Sequence, residues 1–392
     1  MSEAYIVAAA RTAGGRKGGR ISGWHPVDLA AQVLDALVER SGVDPALVDD
    51  VIMGCVSQAG EQSTNVARNA VLASMLPESV PGTSVDRQCG SSQQALHFAA
   101  QAVMSGTMDV VIAAGVESMS RVPMGTPHVL PLKSALGSYD QAEGIRANFP
   151  GIVFSQFAGA EMIAKKYGFT RDALDSYALK SHQRAIAAVE NGRFEREIVP
   201  VAIRTGDGTG AGLHAQDEGI RFDASLEGIA GVKLLAEGGT ISAASASQIC
   251  DGAAGLLVVN ERGLKALGVE PLARVHHMSV LGHDPVIMLE APVPATQRAL
   301  AKAGLRISDI DLYEVNEAFA PVPLAWLSVL DADPERLNVN GGAIALGHPL
   351  GASGAKLMTT LVHALHQRGG RYGLQTMCEG GGLANVTIIE RL

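Results

Sequence analysis

Cys89 stands in the stretch Ser84-Val85-Asp86-Arg87-Gln88-Cys89-Gly90-Ser91-Ser92-Gln93-Gln94-Ala95-Leu96. Ala95, Leu96, Ala99, Ala102 and Val103 recur at helical spacing, and Gly106 is a stop signal. A short buried strand is expected to end near Arg87, so Cys89 falls where a strand turns into a helix N-terminus. Unpaired N–H groups and the positive end of the helix dipole favour a thiolate there, drawing a thiol from its usual pKa of about 8.5 toward neutrality. The chemistry on offer is nucleophilic, covalent catalysis. The alternative is a buried, inert cysteine, the commoner fate of a lone one.

Three clusters in the last quarter of the chain favour the nucleophile. They are Asn316-Glu317-Ala318-Phe319-Ala320, the run from Gly341 to Gly354 that holds His348, and Cys378-Glu379-Gly380-Gly381-Gly382. Each sets a reactive side chain among small residues, whose backbone N–H groups can approach a ligand and form an oxyanion hole. Singly they read as a cap, a satisfied histidine and a turn. Together with Cys89 they form a Cys/His/Cys/Asn set at strand–loop junctions, which ordinary packing does not require.

Composition bounds the rest. The chain has 392 residues, 47% hydrophobic and 18% charged, with 45 glycines, which suits a compact α/β enzyme and argues against disorder. A net charge of −9 offers no general field for nucleic acid, so an anionic ligand needs a local basic patch. No apolar run approaches a membrane span, and Tyr5–Ala10 lacks the charged region of a signal peptide, so a cytoplasmic chain is expected. The four cysteines (Cys55, Cys89, Cys250, Cys378) contain no CxxC pair, and a zinc site is not expected. Cys55 follows an apolar strand and reads as core. The loop from Thr12 to Arg20 lacks the Gly-Lys-Ser/Thr ending of a phosphate loop and reads as a solvated basic loop.

The elements that must position these residues alternate. Strands are expected over 4–10, 51–55 and 109–115, with helices over 28–40, 65–75 and the run after Cys89. The fully apolar 109–115 run predicts a mostly parallel sheet covered on both faces. Residues 118–244 change character, with more Pro, Gly and charge and one strong helix from Thr170 to about Glu190, and read as an inserted loop domain. Asp251–Asn260 reads as a helix or turn leading into a strand, Pro294–Ala303 as a helix, Ile310–Val315 as a strand, 353–367 as a helix and 385–390 as the closing strand. A coarse repeat links Thr83–Met104 with Val339–His366: strand, polar turn with a chemical residue, small-residue helix. A pseudo-twofold pairing would bring the helix N-termini behind Cys89 and His348 together.

Over its whole length the chain resembles the thiolases. The resemblance is carried by Arg87-Gln88-Cys89-Gly90-Ser91, Gly115-Val116-Glu117-Ser118-Met119-Ser120, Asn316-Glu317-Ala318-Phe319, Gly347-His348-Pro349-Leu350-Gly351-Ala352-Ser353-Gly354 and Cys378-Glu379-Gly380-Gly381-Gly382. It implies an α/β thiolase fold of two similar βαβαβαββ halves in α-β-α-β-α layers, with residues 1–117 plus 245–270 as the first half, 118–244 as the loop domain and 271–392 as the second. It also implies a homodimer or homotetramer. By resemblance, Cys89 is the acylated nucleophile, His348 activates it, and Cys378 is the acid/base at Cα of acetyl-CoA. Asn316 holds a water that completes one oxyanion hole with His348, and the N–H groups of Cys89 and Gly380 form the other. Arg221 and Ser247 fall at CoA-binding positions and Phe319 lines the pantetheine tunnel, although a surface arginine is an equal reading of Arg221. Gln156-Phe157 replaces the His-Met usual in short-chain biosynthetic members, which points to the degradative branch and a longer acyl chain. Acyl-CoA and CoA are then the substrates, and no permanently bound cofactor is expected. The rival readings are an acetyl-CoA acetyltransferase acting on acetoacetyl-CoA, a non-catalytic acyl-CoA-binding protein and a cysteine hydrolase.

Overall fold

The computed structural model describes residues 2–392. Nine strands form the main path of one large sheet: β1 (Tyr5–Thr12), β2 (Asp50–Gly54), β3 (Gly82–Val85), β4 (Val110–Ser118), β5 (Cys250–Val259), β6 (Ala273–Gly282), β7 (Leu312–Val315), β8 (Tyr372–Glu379) and β9 (Leu383–Arg391). Their spatial order is β7-β8-β9-β6-β1-β5-β4-β2-β3. Strands β3, β2, β4, β5 and β1 make the first half and β7, β8, β9 and β6 the second. The halves meet where β1 pairs antiparallel with β6 at Tyr5–Arg274 and Ile6–Ala273.

Side-chain alternation builds the layers. On β4, Val110, Ile112, Ala114 and Val116 face one core while Val111 and Ala113 face another. The first core is closed by α1 (Pro26–Ser41), through Leu29, Val33 and Leu37, and by α2 (Val66–Ala73), through Val66, Ala70 and Val71. The second is filled by α3 (Ser91–Ser105) and the C-terminal helix Ser353–Arg368, with Leu96, Ala99 and Val103 against Met358, Leu361 and Leu365. On the far side of the second half, Ala295 and Ala299 of helix Pro292–Ala303 and Trp326 of helix Pro321–Leu330 pack on Val315, Leu374, Val386 and Ile388. The succession is α-β-α-β-α, with α3 and Ser353–Arg368 as the middle layer. Their N-termini do meet: Ala355 N–H donates to Ser92 Oγ at 2.8 Å, and a Cβ on Gly354 would lie 2.2 Å from the Gln93 nitrogen.

The sheet is mixed, not mostly parallel. β1–β5, β4–β5, β6–β9 and β8–β9 are antiparallel, while β2–β3, β2–β4 and β7–β8 are parallel. A continuous apolar run reports burial on both faces and carries no information on strand direction. Residues 250–259 are one strand throughout, with no leading helix. Strand β3 is an edge strand with partly exposed residues, because no described residue pairs with its outer side. Between 118 and 244 there is a second substantial helix, α4 (Gln156–Tyr167), capped by Ser155 and stopped by Gly168, before α5 (Arg171–Glu190). Its apolar face (Ala160, Ile163, Ala164) is short and contains Gly159, which sits 2.7 Å, by its missing Cβ, from the Ile287 carbonyl.

Candidate active site

Strand β3 ends at Val85 and α3 begins at Ser91, so the five residues between them must reverse the chain. Gln88 takes φ +49°, a left-handed conformation strained for a side chain with Cβ. Ser91 locks the turn: the Arg87 N–H donates to Ser91 Oγ at 2.9 Å, and Ser91 Oγ donates to the Gln88 carbonyl. Cys89 is thereby presented one residue before Gly90, the N-cap of α3.

The Gly380–Gly382 hairpin between β8 and β9 nests against this turn. A Cβ on Gly90 would lie 1.9 Å from Glu379 Oε1, and one on Gly380 would lie 3.0 Å from Gln88 Oε1. Gly381 and Gly382 take φ +83° and +75°, which the reversal needs and glycine supplies without strain. Cys378, at the end of β8, is buried beside Phe319, Ala318 and Ile344. Among the described residues, the Cys89 and Gly380 N–H groups donate to no backbone carbonyl.

His348 is also buried. Its Nδ1 lies 2.5 Å from Ser353 Oγ, which itself donates to the Pro349 carbonyl at 3.0 Å. With the hydroxyl donating to Pro349, Nδ1 is assigned the ring proton. That leaves Nε2 as a lone pair, which accepts from Asn316 Nδ2 at 3.4 Å. Burial first, and then Lys356, lowers the imidazole to about 3, so His348 is neutral. Asn316 follows β7, and its N–H donates to the Thr376 carbonyl of β8 at 3.1 Å, two residues before Cys378. Its Oδ1 is buried without a protein partner. Cys89, Asn316, His348, Cys378 and Gly380 are therefore gathered at one end of the sheet, around the N-termini of the two central helices.

The thiols are not those of a helix N-terminus in water. Burial pushes Cys89 up to about 12, with Glu379, Glu117 and Asp86 adding to it. Cys378 is raised further by burial, then by Cys89 and Glu379. This corrects the expectation of a Cys89 thiolate near neutrality: desolvation and nearby carboxylates outweigh the dipole. Cys89 is therefore held as the neutral thiol and His348 as the neutral imidazole.

Ser247 and Phe319 pack next to this cluster, Phe157 packs on Phe319, and Arg221 stands apart. Ala246 bridges to Phe319, the Ser247 N–H donates to the Ala318 carbonyl at 2.9 Å, and Ile249 bridges to His348. Phe157 is half-exposed, and its ring meets Phe319 edge-on at 5.5 Å. Gln156 Nε2 reaches Met124 Sδ at 3.6 Å. Arg221 is exposed, its N–H donates to His182 Nδ1 at 3.2 Å, and no contact ties its side chain to the sulfurs.

Three buried charges behind the site were not singled out from sequence. Glu117 accepts from the N–H groups of Val56, Ser57 and Gly351 and from Gln62 Nε2, at 2.9–3.0 Å. Glu317 accepts from Tyr177 and Ser181 hydroxyls, Asn338 Nδ2 and the Ile344 N–H, at 2.7–3.1 Å. Lys356 donates to the Leu346 and Gly347 carbonyls at 2.5 and 3.3 Å and lies 3.6 Å from Asp217, which Arg11 holds bidentately. Together they clamp the loops on either side of His348. Their signal in the sequence is a lone charge among apolar and small residues, which needs a buried partner.

Known proteins supply the context for this geometry. The family model described as Thiolase, N-terminal domain, matches residues 4–262, and that described as Thiolase, C-terminal domain, matches 269–391. The chain belongs to the thiolase family. It is 52% identical over 393 residues to the steroid 3-ketoacyl-CoA thiolase FadA6 of Mycobacterium tuberculosis, covering all of this chain and 95% of that protein. It is 41% identical over 399 residues to a 3-ketoacyl-CoA thiolase of Cronobacter sakazakii, with both chains covered in full. Among solved structures, the acetyl-CoA acetyltransferase of Bacillus anthracis superposes with a TM-score of 0.91 at 37% identity, and human mitochondrial 3-ketoacyl-CoA thiolase with 0.89 at 36%. Each covers 100% of this chain and 99% of the other. The thiolase fold expected from the motifs is the fold observed. Among the described residues, no helix is long and apolar enough to cross a membrane.

Proposed function

We propose that this thiolase cleaves 3-ketoacyl-CoA with CoA, giving acetyl-CoA and an acyl-CoA two carbons shorter. The observation that carries the reading is the gathering of Cys89, Cys378 and Gly380 with the Asn316–His348 pair at one end of the sheet, in a chain 52% identical to a steroid 3-ketoacyl-CoA thiolase. The Cys89 sulfur attacks the 3-keto carbon as its proton passes to His348 Nε2. The N–H groups of Cys89 and Gly380 serve the 3-keto oxygen as it becomes an alkoxide, and His348, with a water on Asn316, serves the thioester oxygen that becomes the enolate oxygen. The Cα–Cβ bond breaks, the acetyl-CoA enolate leaves, and the Cys378 thiol protonates its carbon. The resulting Cys378 thiolate takes the proton of incoming CoA, whose sulfur displaces the acyl group from Cys89, and His348 returns its proton to the released Cys89 sulfur. Atoms and protons balance without a bound metal or redox cofactor.

In this reading residues 118–244 are the loop domain, between the halves 1–117 plus 245–270 and 271–392. Arg221 and Ser247 hold CoA, and Phe319 and Phe157 line the acyl and pantetheine path. Action in the cytoplasm and assembly as a homodimer or homotetramer belong to the same proposal. A thiolysis panel tests it, running from acetoacetyl-CoA through long-chain to polycyclic 3-ketoacyl-CoAs. Higher kcat/KM for substrates larger than acetoacetyl-CoA is expected. The second reading, an acetyl-CoA acetyltransferase, is favoured by the Bacillus anthracis structure, and strict preference for acetoacetyl-CoA would establish it.

A further inference from the structure

Glu379 is the one carboxylate inserted between the two sulfur-bearing segments. It follows Cys378 on β8, its side chain is fully buried, and it lies against the Cα of Gly90, where no side chain could fit. Oε1 accepts from the Asn385 N–H of β9 at 3.0 Å, and Oε2 has no protein partner. Asn385 in turn donates through Nδ2 to Gln94 Oε1 at 3.0 Å and His97 Nδ1 at 3.2 Å, both on α3. The carboxyl is therefore held in place from both segments, yet one oxygen is left without compensation. An ionised carboxylate in that position is costly, and a protonated one much less so.

We propose that Glu379 is a positioning residue that controls charge at both thiols: uncharged, it lets negative charge develop on Cys89 and Cys378, and its ionisation opposes that charge. The groups facing it are Arg87 from the turn before α3, Cys89, Cys378 and the neutral Asn385. Asp86 and Glu117 also act on Cys89. Burial raises Glu379 to about 8, against the opposite pull of Arg87 and the Asn385 N–H. Its proton is lost to water just above neutrality, and both sulfurs then face a like charge. A purely packing role would need only the shape of the side chain and its acceptor oxygen, and glutamine keeps both.

The inference goes beyond the proposed reaction but takes from it the role of Cys89, so its test is chosen to need no acyl-CoA. The full-length protein is alkylated with iodoacetamide across a pH series, and modification of the Cys89 peptide is followed by mass spectrometry. Wild type should show an inflection at about pH 8, where ionisation of Glu379 begins to restrain thiolate formation. Glu379→Gln should lack that inflection and react about tenfold faster on the alkaline side, the effect of a pKa lower by about one. Arg87→Gln, at a partly exposed position, should move the inflection to higher pH by removing the cation that favours the carboxylate. Circular dichroism confirms folding, and Arg87→Gln decides the matter if Glu379→Gln does not fold. A wild-type profile in either folded variant overturns the proposal. Failure of the thiolysis panel would leave this alkylation result readable, so the two ideas fail separately.

Discussion

At the residue scale, the two cysteines divide the chemistry. In the proposed reaction every acyl group passes through Cys89, whereas a proton moves at Cα only when a carbon–carbon bond is made or broken. Cys378→Ala should therefore abolish thiolysis yet retain some exchange of labelled CoA into acetyl-CoA, and Cys89→Ala should lose both. Each loss should exceed about 10²-fold, the usual lower scale for removing an acid/base group. Full thiolysis by Cys378→Ala, or CoA exchange by Cys89→Ala, would contradict the roles. These side chains were legible in the sequence because each is a reactive type set among small residues. Ser353, Lys356 and Glu379 were not, because their parts depend on contacts between distant segments. Ser353 fixes a histidine tautomer, Lys356 props the Leu346 and Gly347 carbonyls, and Glu379 meets a glycine far from it in the chain. The direction of the Cys89 shift was misread for the same reason. Helix polarity can be read locally, but burial and the approach of Glu379 cannot.

At the element scale, the site is built at strand ends, and two buried glutamates hold those ends together. Glu117 stands near the end of β4 and Glu317 just beyond β7, and each accepts four hydrogen bonds. Glu117 Oε2 joins Val56, after β2, to Gly351, three residues after His348, and so links the two halves at the catalytic loop. Glu117→Ala would leave three backbone N–H groups and one amide unpaired in the interior. With about 1–3 kcal/mol lost per unsatisfied buried group, a loss of at least about 3 kcal/mol is expected in denaturant unfolding. Thiolysis should fall too, since the His348 loop loses its anchor. Wild-type stability in the variant would show that these bonds are replaced by water. The helices and most strands were readable from periodicity and caps, as at Thr170, whose side chain accepts from the Ala173 N–H at 3.3 Å. Strand direction was not, because β4 reads the same whether its neighbour β5 runs with it or against it.

At the scale of the whole molecule, the apolar run Val110–Ala114 marks no subunit interface: it lies inside one subunit, between β5 and β2 and between two helical layers. What the subunit leaves open is the outer edge of β3, with Leu72, Met75 and Phe98 exposed on α2, just after it and on α3. An unpaired edge beside exposed apolar side chains is a template for association. Light scattering at micromolar concentration should give at least twice the 40.6 kDa chain mass, and a monomer mass would defeat the oligomer. Within the subunit, His97 lies at the seam between the halves. It is buried on α3, with Nε2 against Thr387 Oγ1 at 2.8 Å and Nδ1 accepting from Asn385. Burial, and then Arg87 and His277, lower it from 6.5 to about 3. A group with a depressed folded pKa contributes stability that is present above its unfolded value and lost as pH falls toward its folded one. Below 6.5 the unfolded chain binds a proton that the folded chain refuses until about 3. By about pH 5 the difference amounts to roughly 2 kcal/mol from this one ring. His97→Gln cannot take up that proton in either state. Its stability relative to wild type should therefore improve by roughly 2 kcal/mol between about pH 6.5 and about pH 5 in urea unfolding, whatever its offset at neutral pH. A difference that stays constant over that interval would mean that His97 titrates alike in the folded and unfolded chains.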